Sequence, residues 1–277
     1  MNRRLRFTTL LALLLLASLA LVLGPALAQG GPDPLTAQVP LLRPEVISVR
    51  PHDPAAYTQG LLLYDGSLYE STGLRGESTL REVDPETGEV LRSIDIEERY
   101  FAEGLERVGD RLIQLTWQEG EAFVYDLETF ERLETFRYQG EGWGLCTDGR
   151  WLYMSDGTPF ISLRDPQTFE LVFRGLVTLQ GRPVYRLNEL ECVEDSIYAN
   201  VWQTDYILQI DRLNGVVTAV IDASGLLTEE EQAALFSPSQ DVLNGIAYNP
   251  ETETFLITGK RWPHMYEVRF VEAQAEE

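Results

Sequence analysis

The sequence predicts an all-β fold, a five-bladed β-propeller whose ring is closed by an N-terminal strand that completes the last blade. Three observations lead to this prediction. From residue 45 onward no helical period is sustained, and short runs rich in Val, Ile, Leu and Tyr alternate with turn signals. A turn motif recurs at nearly constant spacing, and a second motif opens each of five repeats.

The recurring turns all begin with Asp. They occupy residues 84–88, 126–130, 165–169 and 211–215, with spacings of 42, 39 and 46 residues. The Asp-Pro and Asn-Gly pairs in these turns favour tight reversals between strands. A period of about 40–45 residues with four short strands per unit is typical of a propeller blade. From the residues alone, the alternative is a β-sandwich with accidental periodicity.

The opening motif, in which Gly-Leu or a close variant follows a polar or aromatic residue, places the first strand of each blade. It occupies residues 59–61, 103–105, 143–145, 188–190 and 244–246. In the second blade the pattern predicts strands over 104–108, 111–117, 121–126 and 132–138. The fifth repeat has three strands, the last over 264–270. Residues 45–50 therefore supply its fourth strand, which leaves no open sheet edge.

Residues 1–28 have the three parts of a secretory signal: a basic start, an apolar stretch over 8–23, and Ala-Leu-Ala before the cleavage point. We therefore expect an exported protein, periplasmic or secreted, with no membrane attachment after cleavage. An uncleaved anchor is the alternative. Residues 29–44 are predicted to be a linker, 45–271 the propeller catalytic domain, and 272–277 a tail.

The charge balance and the few cysteines and histidines exclude several classes of function. The chain has 22 Lys and Arg against 44 Asp and Glu, a net charge of −22, which disfavours nucleic acid as a partner. Two Cys and two His make a structural zinc site hard to build. Because inner strands of neighbouring blades are usually too far apart for a disulfide, Cys146 and Cys192 are expected to be free, buried thiols. The chain is expected to act as a monomer.

Two rings of residues are predicted at the mouth of the propeller channel. The first precedes the glycine of each opening motif and consists of Gln59, Glu103, Trp143, Asn188 and Asn244. The second ends the second strand of each blade and consists of Gly73, Trp117, Gly157, Trp202 and Lys260, which is the only lysine in the chain. Tryptophans with a few placed polar groups are typical of a small-ligand pocket. Packing between blades is the alternative role for these tryptophans.

The residue types in these rings suggest acid–base chemistry. Glu103 among tryptophans would be partly desolvated, which raises its pKa toward the range useful for proton transfer. Lys260 and Asn188 supply a positive charge and a neutral donor for a developing oxyanion. The site has no Ser-His or Cys-His pair, so a covalent acyl intermediate is not expected. The substrate must then carry its own nucleophile.

The motifs around these rings resemble those of the plant and bacterial glutaminyl-peptide cyclotransferases, a five-bladed propeller family, over residues 45–270. The motifs are Pro51-His52-Asp53, Tyr57-Thr58-Gln59-Gly60-Leu61, Phe101-Ala102-Glu103-Gly104-Leu105, Leu115-Thr116-Trp117, Gly142-Trp143-Gly144-Leu145, Leu187-Asn188-Glu189-Leu190-Glu191, Asn200-Val201-Trp202, Leu243-Asn244-Gly245-Ile246-Ala247 and Thr258-Gly259-Lys260-Arg261-Trp262-Pro263. Each motif is weak alone, and their order and spacing make the resemblance specific.

The resemblance implies that an N-terminal glutamine of a peptide or protein is converted to 5-oxoproline with release of ammonia. It implies that Glu103 moves protons, that Lys260 and Asn188 stabilise the oxyanion, and that no metal or cofactor takes part. The residues Gln59, Trp117, Trp143, Trp202 and Asn244 are then expected to bind the substrate.

Two other functions fit parts of the pattern. A calcium-dependent propeller lactonase could use the oxygens of Glu103, Asn188 and Asn244, but it needs another carboxylate and Lys260 would repel the cation. A non-catalytic binding module is the other alternative, since propellers often serve as interaction platforms. Between the fourth and fifth repeats, Thr228 and Glu231 predict a capping box that opens a short helix through Leu235. That helix is either a rim or lid of the channel mouth or a surface decoration.

Overall fold

The computed structural model describes residues 39–273. The predicted signal peptide, residues 29–38 of the predicted linker and residues 274–277 of the tail lie outside this range. Within residues 39–273, strands form almost all of the regular structure, and the prediction of an all-β fold is confirmed. No helix in this range is long and apolar enough to cross a membrane.

The first strand, β1 (Leu41–Pro51), precedes three antiparallel sheets of four strands each. The first sheet consists of β2 (Thr58–Tyr64), β3 (Ser67–Thr72), β4 (Thr79–Val83) and β5 (Val90–Asp95). The second consists of β6 (Ala102–Val108), β7 (Arg111–Thr116), β8 (Glu121–Asp126) and β9 (Arg132–Arg137). The third consists of β10 (Leu145–Thr147), β11 (Leu152–Met154), β12 (Phe160–Arg164) and β13 (Leu171–Leu176). The predicted strands of the second repeat agree with β6–β9 to within two residues at each end.

The rest of the chain forms a two-stranded hairpin, one helix and an eight-stranded sheet. The hairpin consists of β14 (Thr178–Leu179) and β15 (Arg182–Pro183), and the helix is α1 (Glu229–Ala234). The large sheet contains β16 (Leu187–Val193), β17 (Ser196–Val201), β18 (Tyr206–Asp211), β19 (Val217–Asp222), β20 (Leu243–Asn249), β21 (Thr254–Gly259) and β22 (His264–Glu272), together with β1. Strand β1 pairs antiparallel with β22 along its length and parallel with β19 at Leu41 and Leu42. It begins at Leu41 rather than at the predicted residue 45, inside the predicted linker.

The five first strands contact one another in chain order. Strand β2 packs on β6, β6 on β10, β10 on β16, β16 on β20, and β20 on β2. Glycine makes this approach possible: a Cβ built on Gly144 would lie 2.1 Å from the carbonyl oxygen of Asn188, and one on Gly60 would lie 2.4 Å from the Leu105 nitrogen. Gly60, Gly104 and Gly144 therefore occupy the second position of their motifs because a Cβ would clash with backbone there, and Gly245 does so because its φ is +116°.

The fourth motif has Glu189 where the others have Gly. Its side chain crosses from β16 to two other first strands, and its carboxylate accepts hydrogen bonds from the Leu61 nitrogen (3.4 Å) and the Ile246 nitrogen (2.9 Å). Burial raises the pKa of the Glu189 carboxyl well above 4.5, and the neighbouring Glu191 carboxylate adds to the shift. Glu189 thus ties three first strands together at the axis.

Cys146 and Cys192 form a disulfide that joins β10 to β16, with their Cα atoms 5.4 Å apart. The prediction of free thiols was therefore wrong. It assumed that inner strands of neighbouring repeats are too far apart, whereas Gly144 allows β10 to pack directly against β16. The resulting Cα separation lies inside the usual range for disulfides.

Candidate active site

The first predicted ring coincides with irregularities in the first strands. The register of the first hairpin shifts next to Gln59, Glu103, Asn188 and Asn244. In three repeats the shift lies between the residue before the motif and the residue that ends it, and in the first repeat it lies between Thr58 and Gly60. Such bulges re-aim a side chain away from the regular alternation of a strand. The ring residues therefore project out of the ladder and are free to face the axis.

The second ring is joined to the first by a repeated backbone hydrogen bond. In four repeats the second-ring residue donates its backbone N–H to a backbone carbonyl of the same repeat. The acceptor residue lies two positions before the first-ring residue in the sequence. The pairs are Gly73 to Tyr57 (2.8 Å), Trp117 to Phe101 (2.9 Å), Trp202 to Arg186 (2.9 Å) and Lys260 to Val242 (2.9 Å). This bond holds corresponding members of the two rings at one end of the channel.

A cavity of about 460 Å³ lies at this end of the channel. Seven of the eight predicted site residues line it, namely Gln59, Glu103, Trp117, Trp143, Asn188, Trp202 and Lys260. The eighth, Asn244, contacts Gln59 instead of the cavity. The lining also includes Tyr57, Leu74, Phe101, Phe236, Ser237, Gln240 and Arg261, none of which was predicted as a site residue. The two rings thus form one pocket.

A chain of hydrogen bonds runs along the first ring. Asn244 donates from Nδ2 to Oε1 of Gln59 (3.3 Å) and to the Thr58 carbonyl (3.0 Å). Gln59 in turn donates from Nε2 to Oε1 of Glu103 (3.1 Å). Both the oxygen and the nitrogen of the Gln59 side-chain amide are therefore hydrogen-bonded within the first ring, and the bond from its nitrogen orients the Glu103 carboxylate. The expectation that Gln59 and Asn244 bind substrate directly is not tested by these contacts.

Three buried oxygens of the first ring have no hydrogen-bond partner within residues 39–273. They are Oε2 of Glu103, Oδ1 of Asn188 and Oδ1 of Asn244. A buried acceptor without a partner costs free energy, on the order of 1–3 kcal/mol. Two of these oxygens belong to residues that line the cavity, so a bound molecule with N–H groups would satisfy them.

Glu103 and Lys260 are the buried charged residues among those that line the cavity, with exposures of 4% and 3%. Burial raises the pKa of the Glu103 carboxyl well above 4.5, although the Lys260 charge opposes the shift and the Glu141 and Glu119 charges add to it. Burial also lowers the pKa of the Lys260 ammonium from 10.5 to about 8, although Glu103 and Asp241 favour its charged form. The Lys260 Nζ atom lies 5.0 Å from the centre of the Tyr57 ring. Burial thus favours the uncharged forms of both groups.

Aromatic rings wall the cavity, and glycines of the second ring make room for them. A Cβ on Gly73 would lie 2.4 Å from the Phe101 ring, and one on Gly157 would lie 2.7 Å from the Trp143 ring. Phe101 meets Trp117 edge to face at 5.5 Å, and Trp143 meets Trp202 in the same way at 5.5 Å. The alternation of Gly and Trp in the second ring is thus explained by packing around one pocket.

Buried residues that the sequence analysis did not predict as site residues hold the turn that carries Lys260. His52 is 7% exposed and donates from Nδ1 to the Trp262 carbonyl (2.7 Å). The Trp262 indole donates to the Asp241 carbonyl (3.0 Å) and fills the space beside Gly259. The turn that carries Lys260 is therefore fixed on both sides.

The insertion between the fourth and fifth repeats forms part of the rim. Helix α1 has Thr228 as its N-cap, in a capping box with Glu231, so the predicted helix is confirmed. Glu231 also contacts His264 (2.8 Å), which anchors the helix to β22. The residues that follow α1 bring Phe236 and Gln240 to the cavity. The rim is thus formed by residues that follow α1, and α1 itself contributes no residue to the cavity lining.

Comparisons with known proteins agree on one family. The family model described as glutamine cyclotransferase matches residues 14–270. A glutaminyl-peptide cyclotransferase of Arabidopsis thaliana is 41% identical over 237 residues, which cover 84% of this chain and 72% of the relative. The crystal structure of Myxococcus xanthus glutaminyl cyclase matches with a TM-score of 0.80 and 39% identity, covering 86% of this chain and 100% of that one. The resemblance inferred from the motifs is confirmed, and this chain belongs to the glutamine cyclotransferase family.

Proposed function

We propose that this protein converts the N-terminal glutamine of peptides and proteins to 5-oxoproline and releases ammonia. Family membership supports the reaction. The observation that carries the mechanism is the pairing of a buried Glu103, which has an unpartnered Oε2, with the buried ammonium of Lys260 in one aromatic cavity.

The unpartnered oxygens suit the α-ammonium of the substrate. Glu103 Oε2 and Asn188 Oδ1 both need N–H donors, and an ammonium supplies three. Asn188 also carries an Nδ2 amide group, which can donate to the substrate's side-chain oxygen. The indole faces around the cavity stabilise a cation in addition. The amine and the side-chain amide of one residue are thereby held together, which favours a near-attack geometry.

The proton transfers follow from this placement. Glu103 takes a proton from the α-ammonium, and the freed amine forms a bond to the side-chain amide carbon. Lys260 and Asn188 stabilise the oxyanion of the tetrahedral intermediate. Glu103 then gives its proton to the amide nitrogen, the carbon–nitrogen bond breaks, and ammonia leaves. The ring nitrogen sheds its second proton to Glu103, which passes it to solvent. The raised pKa of the Glu103 carboxyl suits a group that both accepts and returns protons.

We also propose that the reaction needs no metal ion. The cavity offers one carboxylate, the cationic side chains of Lys260 and Arg261, and neutral polar groups, which is a poor ligand set for a hard cation. In the part of the chain that the structure describes, no three His, Cys, Asp or Glu side chains are grouped to hold a metal. The calcium-dependent lactonase is supported by the unpartnered oxygens of Glu103, Asn188 and Asn244 alone. In the proposed reaction, the substrate ammonium donates hydrogen bonds to the oxygens of Glu103 and Asn188.

For the architecture, we infer five blades, the last completed by β1. Three separate four-stranded sheets, the antiparallel pairing of β1 with β22 and the ring of contacts among the five first strands support this count. We further infer that the protein is exported through its N-terminal signal, because the Cys146–Cys192 disulfide suits an oxidising compartment. That the protein acts as a monomer stays a prediction.

The deciding experiment is ammonia release from a short peptide that begins with Gln, measured with and without EDTA. We expect wild-type turnover to survive the chelator and to yield a product lighter by one ammonia. Glu103→Gln is expected to lower kcat/KM by about 10²–10⁴-fold, the usual contribution of general acid–base catalysis. Glu134→Gln, which neutralises a carboxylate that is 46% exposed and paired with Arg111, serves as the matched control and is expected to be fully active.

Two results would contradict the proposal. Loss of wild-type activity in EDTA, restored by calcium, would favour the metal-dependent alternative. A folded wild-type protein that releases no ammonia from any Gln peptide would favour the binding module.

A further inference from the structure

We propose that Glu141, which no sequence pattern singled out, is a positioning residue for the cyclisation. It orients the indole rings of Trp117 and Trp143 against the substrate cavity and places an uncompensated negative charge beside Glu103. This inference rests on the proposed function and adds a residue to its machinery.

The geometry of Glu141 is the first argument. Its Oε2 accepts the indole N–H of Trp117 at 2.8 Å and that of Trp143 at 2.9 Å. Its Oε1 accepts from the side-chain amide of Gln118 at 3.2 Å. One carboxylate thus anchors both tryptophans on one side of the cavity. An indole has a single polar atom, so a hydrogen bond to that atom fixes which edge of the ring points to Glu141.

The second argument is a gap in the aromatic wall. Tyr57 contacts Phe101 and Phe101 contacts Trp117, each edge to face, while Trp143 contacts Trp202 in the same manner. Between Trp117 and Trp143 the connection runs through the Glu141 carboxylate. Glu141 therefore joins two groups of rings that would otherwise be oriented independently.

The third argument is charge. The Glu119 carboxylate pairs with Arg75 at 2.5 Å, whereas Glu141 forms no ion pair among residues 39–273 and bonds only to neutral donors. The titratable groups that interact with Glu103 through their charges are Lys260, Glu141, Glu119, Tyr57 and Tyr138. Burial raises the pKa of Glu103 most, Lys260 lowers it, and Glu141 raises it further, ahead of Glu119.

Two substitutions separate orientation from charge. Glu141→Gln keeps an acceptor oxygen for the indoles and removes the charge, and Glu141→Ala removes both. Because a negative neighbour raises the pKa of Glu103, its removal lowers that pKa. The acidic limb of kcat/KM is therefore expected to move to lower pH in both variants. The KM for a Gln peptide should change by less than about threefold in Glu141→Gln and rise about tenfold in Glu141→Ala, the scale on which ring contacts contribute to cation binding.

The indole N–H signals of protein labelled with ¹⁵N-tryptophan provide a readout that does not depend on activity. The chain has five tryptophans. In Glu141→Ala we expect the Trp117 and Trp143 signals to move, while the signal of Trp262, which donates to Asp241, stays. Glu119→Gln is the matched control, because both indole N–H groups donate to Glu141 and neither donates to the Glu119 carboxylate. We expect a smaller movement of the acidic limb and unchanged indole signals.

The proposal is overturned if Glu141→Ala leaves KM and both indole signals unchanged, or if the acidic limb stays in place in both Glu141 variants. If Glu141→Ala does not fold, the pH profile of Glu141→Gln decides. A wild-type protein that releases no ammonia refutes the proposed function instead, and the indole spectra then still test the Glu141 contacts.

Discussion

Gln59 donates a hydrogen bond to Glu103 over 3.1 Å, and it is the only protein group within residues 39–273 that bonds to that carboxylate. The bond engages Oε1 and leaves Oε2 without a partner. Glu103 is thus held at one oxygen and unpartnered at the other, which is the arrangement that the proposed proton transfers require.

Replacing Gln59 by Leu removes this donor at similar volume. A donor to a carboxylate stabilises the charged form, so its loss raises the pKa of Glu103 further. We expect the acidic limb of kcat/KM to move to higher pH and kcat to fall about tenfold. A pH–rate profile with an unmoved acidic limb would show that Gln59 does not orient Glu103. The direction is opposite to that expected for Glu141→Gln, so the two variants control for each other.

The alkaline limb should report Lys260. Its ammonium, with a pKa lowered to about 8, is charged below that value and neutral above it. If the charge stabilises the oxyanion, kcat at saturating substrate falls as the pH rises through about 8. Lys260→Met is expected to lose about 10²–10³-fold in kcat. Lys260→Arg should retain some activity and lose the alkaline limb, because a guanidinium stays charged. An alkaline limb that persists in Lys260→Arg would assign the titration to another group.

The buried pair of His52 and Glu70 should make stability depend on pH. Burial lowers the pKa of His52, but the charge and hydrogen bond of Glu70 and the Trp262 carbonyl raise it above 6.5 overall. A raised folded-state pKa means that the pair's stabilisation is complete below pH 6.5 and is lost as the pH rises through the folded value. We expect Tm to fall over that alkaline interval and to fall less in His52→Gln. Equal pH slopes for wild type and variant, measured by calorimetry, would contradict this assignment.

The disulfide should stabilise the fold and leave no thiol to titrate. Cys146 and Cys192 are 46 residues apart in sequence, so the bond constrains a long loop of the unfolded chain. Replacing both by Ser is expected to lower the free energy of unfolding by about 2–5 kcal/mol. Thiol titration of the oxidised protein in denaturant should give no free thiols without reductant. Two reactive thiols under those conditions would restore the original expectation.

Most of the pocket was predictable because the repeats fix equivalent positions. Once the opening motifs were aligned, Glu103, Asn188 and Lys260 fell at ring positions without any contact information, and the cavity contains all three. Short-range spacing was sufficient, since each ring residue occupies the same place in its own hairpin. The capping box of Thr228 and Glu231 was predictable for the same reason, because its residues lie three positions apart, and α1 begins directly after Thr228.

The remaining features depend on contacts between repeats or outside their period. Glu141 lies in a connection between strands and acts through two indoles, and nothing in the spacing marks it. Phe236 and Gln240 reach the cavity from an insertion that has no counterpart in the other repeats. The disulfide between Cys146 and Cys192 depends on how closely two sheets pack, and the sequence pattern of the hairpins gives no information on that distance.

The carboxylate of Glu189 has a consequence for three residues of the first ring. By bonding to β2 and β20, it ties the strands that carry Gln59 and Asn244 to the strand that carries Asn188. The relative positions of these three residues therefore depend on one buried carboxylate that does not itself line the cavity.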